Sequence, residues 1–129
     1  MSNVLDASAV LALVKCEPGQ DVVEAALISG ASICTVNLAE GISIFVRDGV
    51  PESSGRLTVE RLPIEVVDFD ADLTMIAGFM GTQTRPFGLS LGDRACLALA
   101  RRKKKPVLTS DRVWAQVGPL IEVTVKLIR

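Results

Sequence analysis

The stretch that most constrains the fold reads Ser90-Leu91-Gly92-Asp93-Arg94-Ala95-Cys96-Leu97-Ala98-Leu99-Ala100, then a basic run at 101–105, then Pro106-Val107-Leu108-Thr109-Ser110-Asp111. Ser90 suits a helix N-cap, Asp93 is an acid in the first turn, and the Arg and Lys residues suit the negative end of the helix dipole. Val107-Leu108-Thr109, after a proline, reads as a short buried strand ending near Asp111. A helix feeding such a strand points to a layered α/β architecture and carries Asp93 and Asp111 towards one place.

The same alternation runs through the chain. Asn3-Val4-Leu5 reads as a strand ending at Asp6, with helices expected over 7–15 and 21–29 and a strand over 32–36. Asn37-Leu38-Ala39-Glu40 opens the next helix, Pro51 starts another to about residue 61, and Ile64-Glu65-Val66-Val67 is a further strand. Asp70 caps a helix to about residue 81, residues 82–89 form a polar loop, and a last strand falls within 121–127. With 129 residues and no linker or internal repeat, one domain over 1–129 is expected. Strands alternating with helices imply right-handed crossovers and a three-layer α/β/α sandwich around a mostly parallel sheet. Binding sites in such sheets gather beyond the carboxyl ends of the strands, where Asp6, Asp111 and Glu40 all fall.

Composition narrows the chemistry. Fourteen Lys and Arg against fifteen Asp and Glu leave a net charge of −1, so global charge announces no nucleic-acid partner. The hydrophobic fraction is 49%, but the longest uncharged run, 25–39, has fifteen residues, short of the roughly 18 to 20 a spanning helix needs. No membrane segment or signal peptide is expected, and the expected location is the cytoplasm. Cys16, Cys34 and Cys96 lack metal-ligand spacing and read as reduced thiols. The absence of histidine removes the usual general base and the common zinc ligand sets.

Each acid has a local explanation. Asp6 can cap a helix, Asn37-x-x-Glu40 and Ser90-x-x-Asp93 can each form a capping box, and Asp111 can begin a turn. Capping does not explain why four acids should face one sheet edge, where mutual repulsion raises carboxyl pKa values unless a cation sits among them. Oxygen ligands alone select hard cations, Mg2+ or Mn2+, as one or two ions. Metal-activated water attacking a nucleic-acid phosphodiester is then the natural reaction.

Val4-Leu5-Asp6-Ala7-Ser8, Asn37-Leu38-Ala39-Glu40, the stretch from Leu89 to Ala100, and Val107-Leu108-Thr109-Ser110-Asp111-Arg112-Val113-Trp114 together resemble the four motifs of PIN-domain proteins, specifically VapC-type toxins. The resemblance implies a sheet of about five strands and a Mg2+- or Mn2+-dependent endoribonuclease. It places Asp6, Glu40, Asp93 and Asp111 on the family's acidic quartet. Thr109 falls where a hydroxyl supports the metal site, and Ser8 is a weaker candidate for such support. A cognate antitoxin that fills the groove, and a homodimer, are further implications.

Arg85, Arg94 and Arg112 are the candidate RNA contacts, with pairing to nearby acids as the competing explanation for the last two. The basic run fits helix-end electrostatics better than an RNA clamp. Of the five aromatics, Trp114 and most of the Phe residues are expected in the core, and Phe87, in the loop, is the exception. The apolar first two helices offer either a partner surface or ordinary packing. Two rival readings stand beside the toxin: a catalytically idle PIN fold that binds RNA or protein, and a phosphoacceptor or receiver domain. The latter needs a second acid beside Asp6, where the chain has Ala7-Ser8.

Overall fold

A computed structural model describes residues 2–129, so residue 1 of the expected domain lies outside the described residues. At the centre is β1 (Asn3–Leu5), buried along its whole length. β2 (Ala31–Cys34) and β4 (Val107–Thr109) flank it, and β3 (Glu65–Val67) and β5 (Val125–Leu127) form the edges. The strand order is β3-β2-β1-β4-β5 and every pairing is parallel. Val4 pairs with Ser32 on one side and Val107 on the other. Succession in one direction through β1, β2 and β3 reverses between β1 and β4. That reversal opens a crevice at the carboxyl ends of these two central strands.

Two cores, one on each face, follow from side-chain alternation along the strands. Val4, Cys34 and Val107 pack with α5 (Ala71–Phe79) and α7 (Leu91–Lys103), whereas Leu5, Ile33 and Leu108 pack with α1 (Ala7–Val14) and α2 (Gln20–Ser29). Helix α7 is buried from Ala95 through Ala100, and its three alanines let it lie close to the sheet. The third helical element, α3 (Thr35–Arg47), touches α1 in one layer and α7 in the other, and so stands beside the crevice. On α1 and α2, Val10, Leu11 and Val23 are buried in packing, whereas Val22 and Ile28 of α2 are exposed.

Several elements depart from the sequence reading. Strand β2 stops at Cys34 and α3 begins at Thr35, two residues before Asn37. The hydroxyl of Thr35 accepts a hydrogen bond from the Phe69 amide at 3.1 Å, in the connection from β3 to α5, so it does not cap its own helix. The expected loop at 82–89 instead contains α6 (Gly81–Thr84) and a 3-10 turn (Arg85–Phe87) that ends at Gly88 with φ 71°. Buried Thr84 anchors this segment by donating to the Met80 carbonyl at 2.9 Å. Phe87 packs against the core, while Phe79 is 76% exposed, reversing the expectation for both. The remaining helices are α4 (Glu52–Arg61) and α8 (Trp114–Val117), making eight α-helices among the described residues. No described helix is long and apolar enough to cross a membrane.

Candidate active site

Asp6 ends β1 and caps α1, with Oδ1 accepting from the Ala9 amide at 2.9 Å and from the Ser8 hydroxyl at 2.6 Å. Its Oδ2 accepts from the Thr109 hydroxyl at 2.5 Å. Both hydroxyls reach further: Ser8 Oγ accepts from the Ser110 amide at 3.0 Å, and Thr109 Oγ1 from the Asp111 amide at 3.0 Å. Ser8 and Thr109 thus tie the carboxyl end of β1 to that of β4 and fix the backbone that carries Asp111. Asp111 itself accepts from the Val113 amide through Oδ1 at 3.0 Å, forming a turn.

Asp93 comes from the first turn of α7. The capping box is present: the Ser90 hydroxyl accepts from the Asp93 amide at 3.1 Å, and Asp93 Oδ2 accepts from the Ser90 amide at 2.9 Å. Glu40 is different. Asn37 lies inside α3, so no capping box forms there, and Asn37 instead gives its side-chain amide to Glu40 Oε1 at 2.9 Å.

All four acids line one cleft of about 330 Å3, shared with Ser8, Asn37 and Trp114 among others. Among the described residues none of the four forms an ion pair with Lys or Arg. Burial pushes the Asp6 carboxyl above its ordinary value despite three hydrogen bonds, and the charge of Asp93 adds to the rise. Burial also raises Glu40, with repulsion from Asp93 and Asp6 working in the same direction. Local caps do not account for this mutual repulsion.

The donor chemistry suits a hard divalent cation, being entirely oxygen. Three buried side-chain polar atoms lack a hydrogen-bond partner among the described residues, and two of them, Asn37 Oδ1 and Trp114 Nε1, belong to cleft residues. As the side chains lie, no three described Asp, Glu, Cys or His residues are grouped to hold a metal ion. Glu40 Oε2, Asp93 Oδ1 and Asp111 Oδ2 accept no hydrogen bond within the described residues, which leaves one oxygen of each open to a ligand.

The candidate RNA-contact arginines are not among the cleft's lining residues. Arg94 donates to the Ala77 carbonyl at 3.0 Å, closing the end of α5 and pairing with no described acid. Arg85 and Arg112 are exposed. A larger groove of about 490 Å3 lies between α3 and α4, but its walls are mainly apolar, including Ile42, Phe45, Val46 and Val59 beside Glu52, Arg56 and Glu60, and carry none of the four acids.

Two residues beside Glu40 do not stand out in the sequence: Asn37, which lines the cleft and whose spacing to Glu40 also fits a cap, and Gly92, which lies against the Glu40 carboxylate. A Cβ added at Gly92 would lie 2.5 Å from Glu40 Oε2, whereas one added at Gly41, also helical, would meet nothing within 4 Å. The available signal was a glycine in the first turn of a helix, where it costs roughly 1 kcal/mol against alanine.

The PIN domain model matches residues 4–119, and the chain belongs to the PIN-domain family. Among solved structures, VapBC of Salmonella typhimurium bound to DNA superposes with a TM-score of 0.80 at 16% identity, covering 100% of this chain and 99% of that one. VapBC2 of Rickettsia felis, bound to a promoter DNA fragment, gives 0.74 at 18% identity, with 98% of each chain covered. VapC20 of Mycobacterium tuberculosis, described as a Sarcin-Ricin loop cleaving toxin, gives 0.74 at 18% identity over 91% of this chain and 95% of its own. No curated protein matches the chain in sequence.

Proposed function

We propose that this chain is a VapC-type toxin: a divalent-cation-dependent endoribonuclease, one domain over its whole length, silenced by a cognate antitoxin. The observation that carries the reading is the convergence of Asp6, Glu40, Asp93 and Asp111, from four separate elements, on one cleft without a cationic partner. The structural neighbours supply its context, because two are VapBC structures bound to DNA, one from Mycobacterium tuberculosis belongs to the VapBC family of toxin-antitoxin systems, and one is described as a Sarcin-Ricin loop cleaving toxin. A homodimer and a cytoplasmic location complete the proposal.

In this reading the four acids hold Mg2+ or Mn2+, as one or two ions. When bound, the cation neutralises the cleft and supplies the Lewis acidity for water to attack a phosphodiester. Asp6 is the fixed member, since Ser8, Thr109 and the Ala9 amide hold both its oxygens. Thr109 also sets Asp111, through the amide of that residue. Asp93 keeps its backbone cap through one oxygen and offers the other. With no histidine in the chain, proton transfer falls to carboxylates and water. Arg85 and Arg112, exposed outside the cleft, would meet the RNA backbone rather than the reacting bond.

The local caps on Asp6, Asp93 and Asp111 favour one competitor, a PIN fold that binds RNA or protein without cutting. A panel of structured RNAs, incubated with antitoxin-free protein in Mg2+ or Mn2+ and again in EDTA, separates the two. Cleavage that requires the cation and is lost in Asp93→Asn supports the toxin. Cation-dependent cleavage that survives in Asp93→Asn refutes the assigned mechanism, and absence of cleavage in every condition favours the idle module.

A further inference from the structure

Glu40 is the one acid of the four whose carboxylate has no backbone partner among the described residues, and its side chain is long and substantially exposed. Left to itself, such a side chain samples many rotamers. Two contacts restrict it. Asn37 lies one turn earlier on the same face of α3, is 1% exposed, and donates both to Glu40 Oε1 and to the Gly92 carbonyl, each at 2.9 Å. On the other side the carboxylate rests against the first turn of α7, where the missing side chain of Gly92 is what admits Oε2.

We infer that Asn37 and Gly92 form a two-sided clamp that positions Glu40 in the cleft, with Asn37 acting as a positioning residue through Glu40 rather than as a ligand. The inference rests on the ribonuclease reading. The amide is oriented by its two acceptors, which leaves Asn37 Oδ1 buried without a donor. A bridge present only to join α3 to α7 would gain nothing from that unsatisfied oxygen. The clamp also makes sense of the glycine: alanine is the better helix former at position 92, yet its methyl group would occupy the space of the Glu40 carboxylate.

Mn2+ binding to the antitoxin-free protein, followed by calorimetry, tests the clamp without relying on turnover. Asn37→Ala is expected to weaken Mn2+ binding by about 10- to 100-fold, the usual consequence of losing a group that orients a ligand. Gly92→Ala is expected to weaken it in the same direction while the melting temperature holds or rises. In a Glu40→Ala background, Asn37→Ala should produce no further loss, because its effect passes through Glu40. Wild-type affinity in a folded Asn37→Ala protein overturns the inference, as does a full additional loss in the Glu40→Ala background. If Asn37→Ala does not fold, Gly92→Ala decides, and wild-type affinity there is equally fatal. Wild-type protein that binds no Mn2+ removes the ribonuclease reading itself and the clamp with it; wild-type binding with unaffected variants removes the clamp alone.

Discussion

The two ends of α7 handle charge in opposite ways. At its carboxyl end Arg102 lies 2.9 Å from Asp70 and 3.2 Å from Asp72, and Lys103 lies 2.7 Å from Glu65. There the Leu73 amide and the Arg102 guanidinium hold the Asp70 carboxyl below its ordinary value. At its amino end Asp93 joins Asp6, Glu40 and Asp111 in a cleft without a paired cation, and burial with mutual repulsion moves Asp6 and Glu40 the other way. Paired charges at one end serve the fold. Unpaired like charges at the other work against it, and their arrangement makes sense as a place for a ligand that brings positive charge.

The contrast is broken most directly by removing one charge at each end. Asp93→Asn should lower cation-dependent RNA cleavage by at least about 100-fold. Arg102→Ala, outside the cleft, should leave cleavage unchanged and cause only a small drop in melting temperature. Equal losses from the two variants would erase the distinction between the ends.

A smaller effect is expected within the cleft. Thr109→Val keeps the volume of a fully buried residue but leaves Asp6 Oδ2 without its donor. Destabilisation of about 1–3 kcal/mol is expected in urea unfolding of the cation-free protein. An unchanged urea midpoint would show that the Asp6 carboxylate does not depend on this hydroxyl.

The smallest effect is a pH dependence whose sign differs between the ends. Asp6 and Glu40 are raised above ordinary values of 3.8 and 4.5, so the stability they contribute is present below those values and lost as pH rises through their folded pKa values. Asp70, and Asp48 beside Lys15, are lowered from 3.8, so theirs is present above that value and lost as pH falls through their folded pKa values. The cation-free protein should therefore melt higher at mildly acidic than at neutral pH, and excess Mn2+ should offset the neutral-pH loss. Melting curves in EDTA that rise steadily towards neutral pH would contradict the assignment of repulsion to the cleft.

How far the chain could be read from its residues varies along it. Strands β1 and β4 and helix α7 were legible because short apolar runs, a Ser-x-x-Asp cap and a cationic end are local signals. The start of α3 was not. Asn37 and Glu40 stand three residues apart, a spacing shared by a capping box and by neighbours on one helical face, and only the demand of Phe69 on Thr35 tells the two apart. The 82–89 segment looked like a loop because its residues are polar, yet packing of Met80 and Thr84 carries helical structure into it. Arg94 sits beside a cleft acid in sequence, but the turn of α7 sends it to the Ala77 carbonyl instead.

By itself, the sequence determined the alternation of strands and helices and placed acids at the ends of β1 and β4 and in the first turn of α7, because caps, turns and hydrophobic periods depend on near neighbours. Tertiary structure decided how those acids and Glu40 line one cleft without a paired cation, while Arg102 and Lys103 at the basic end of α7 are paired with Asp70, Asp72 and Glu65. It also made Asn37 a partner of Glu40 and Gly92 rather than a cap. Those outcomes depend on which groups from distant segments come within a few ångströms of one another, and that distance is set by the packing of the sheet and its helices.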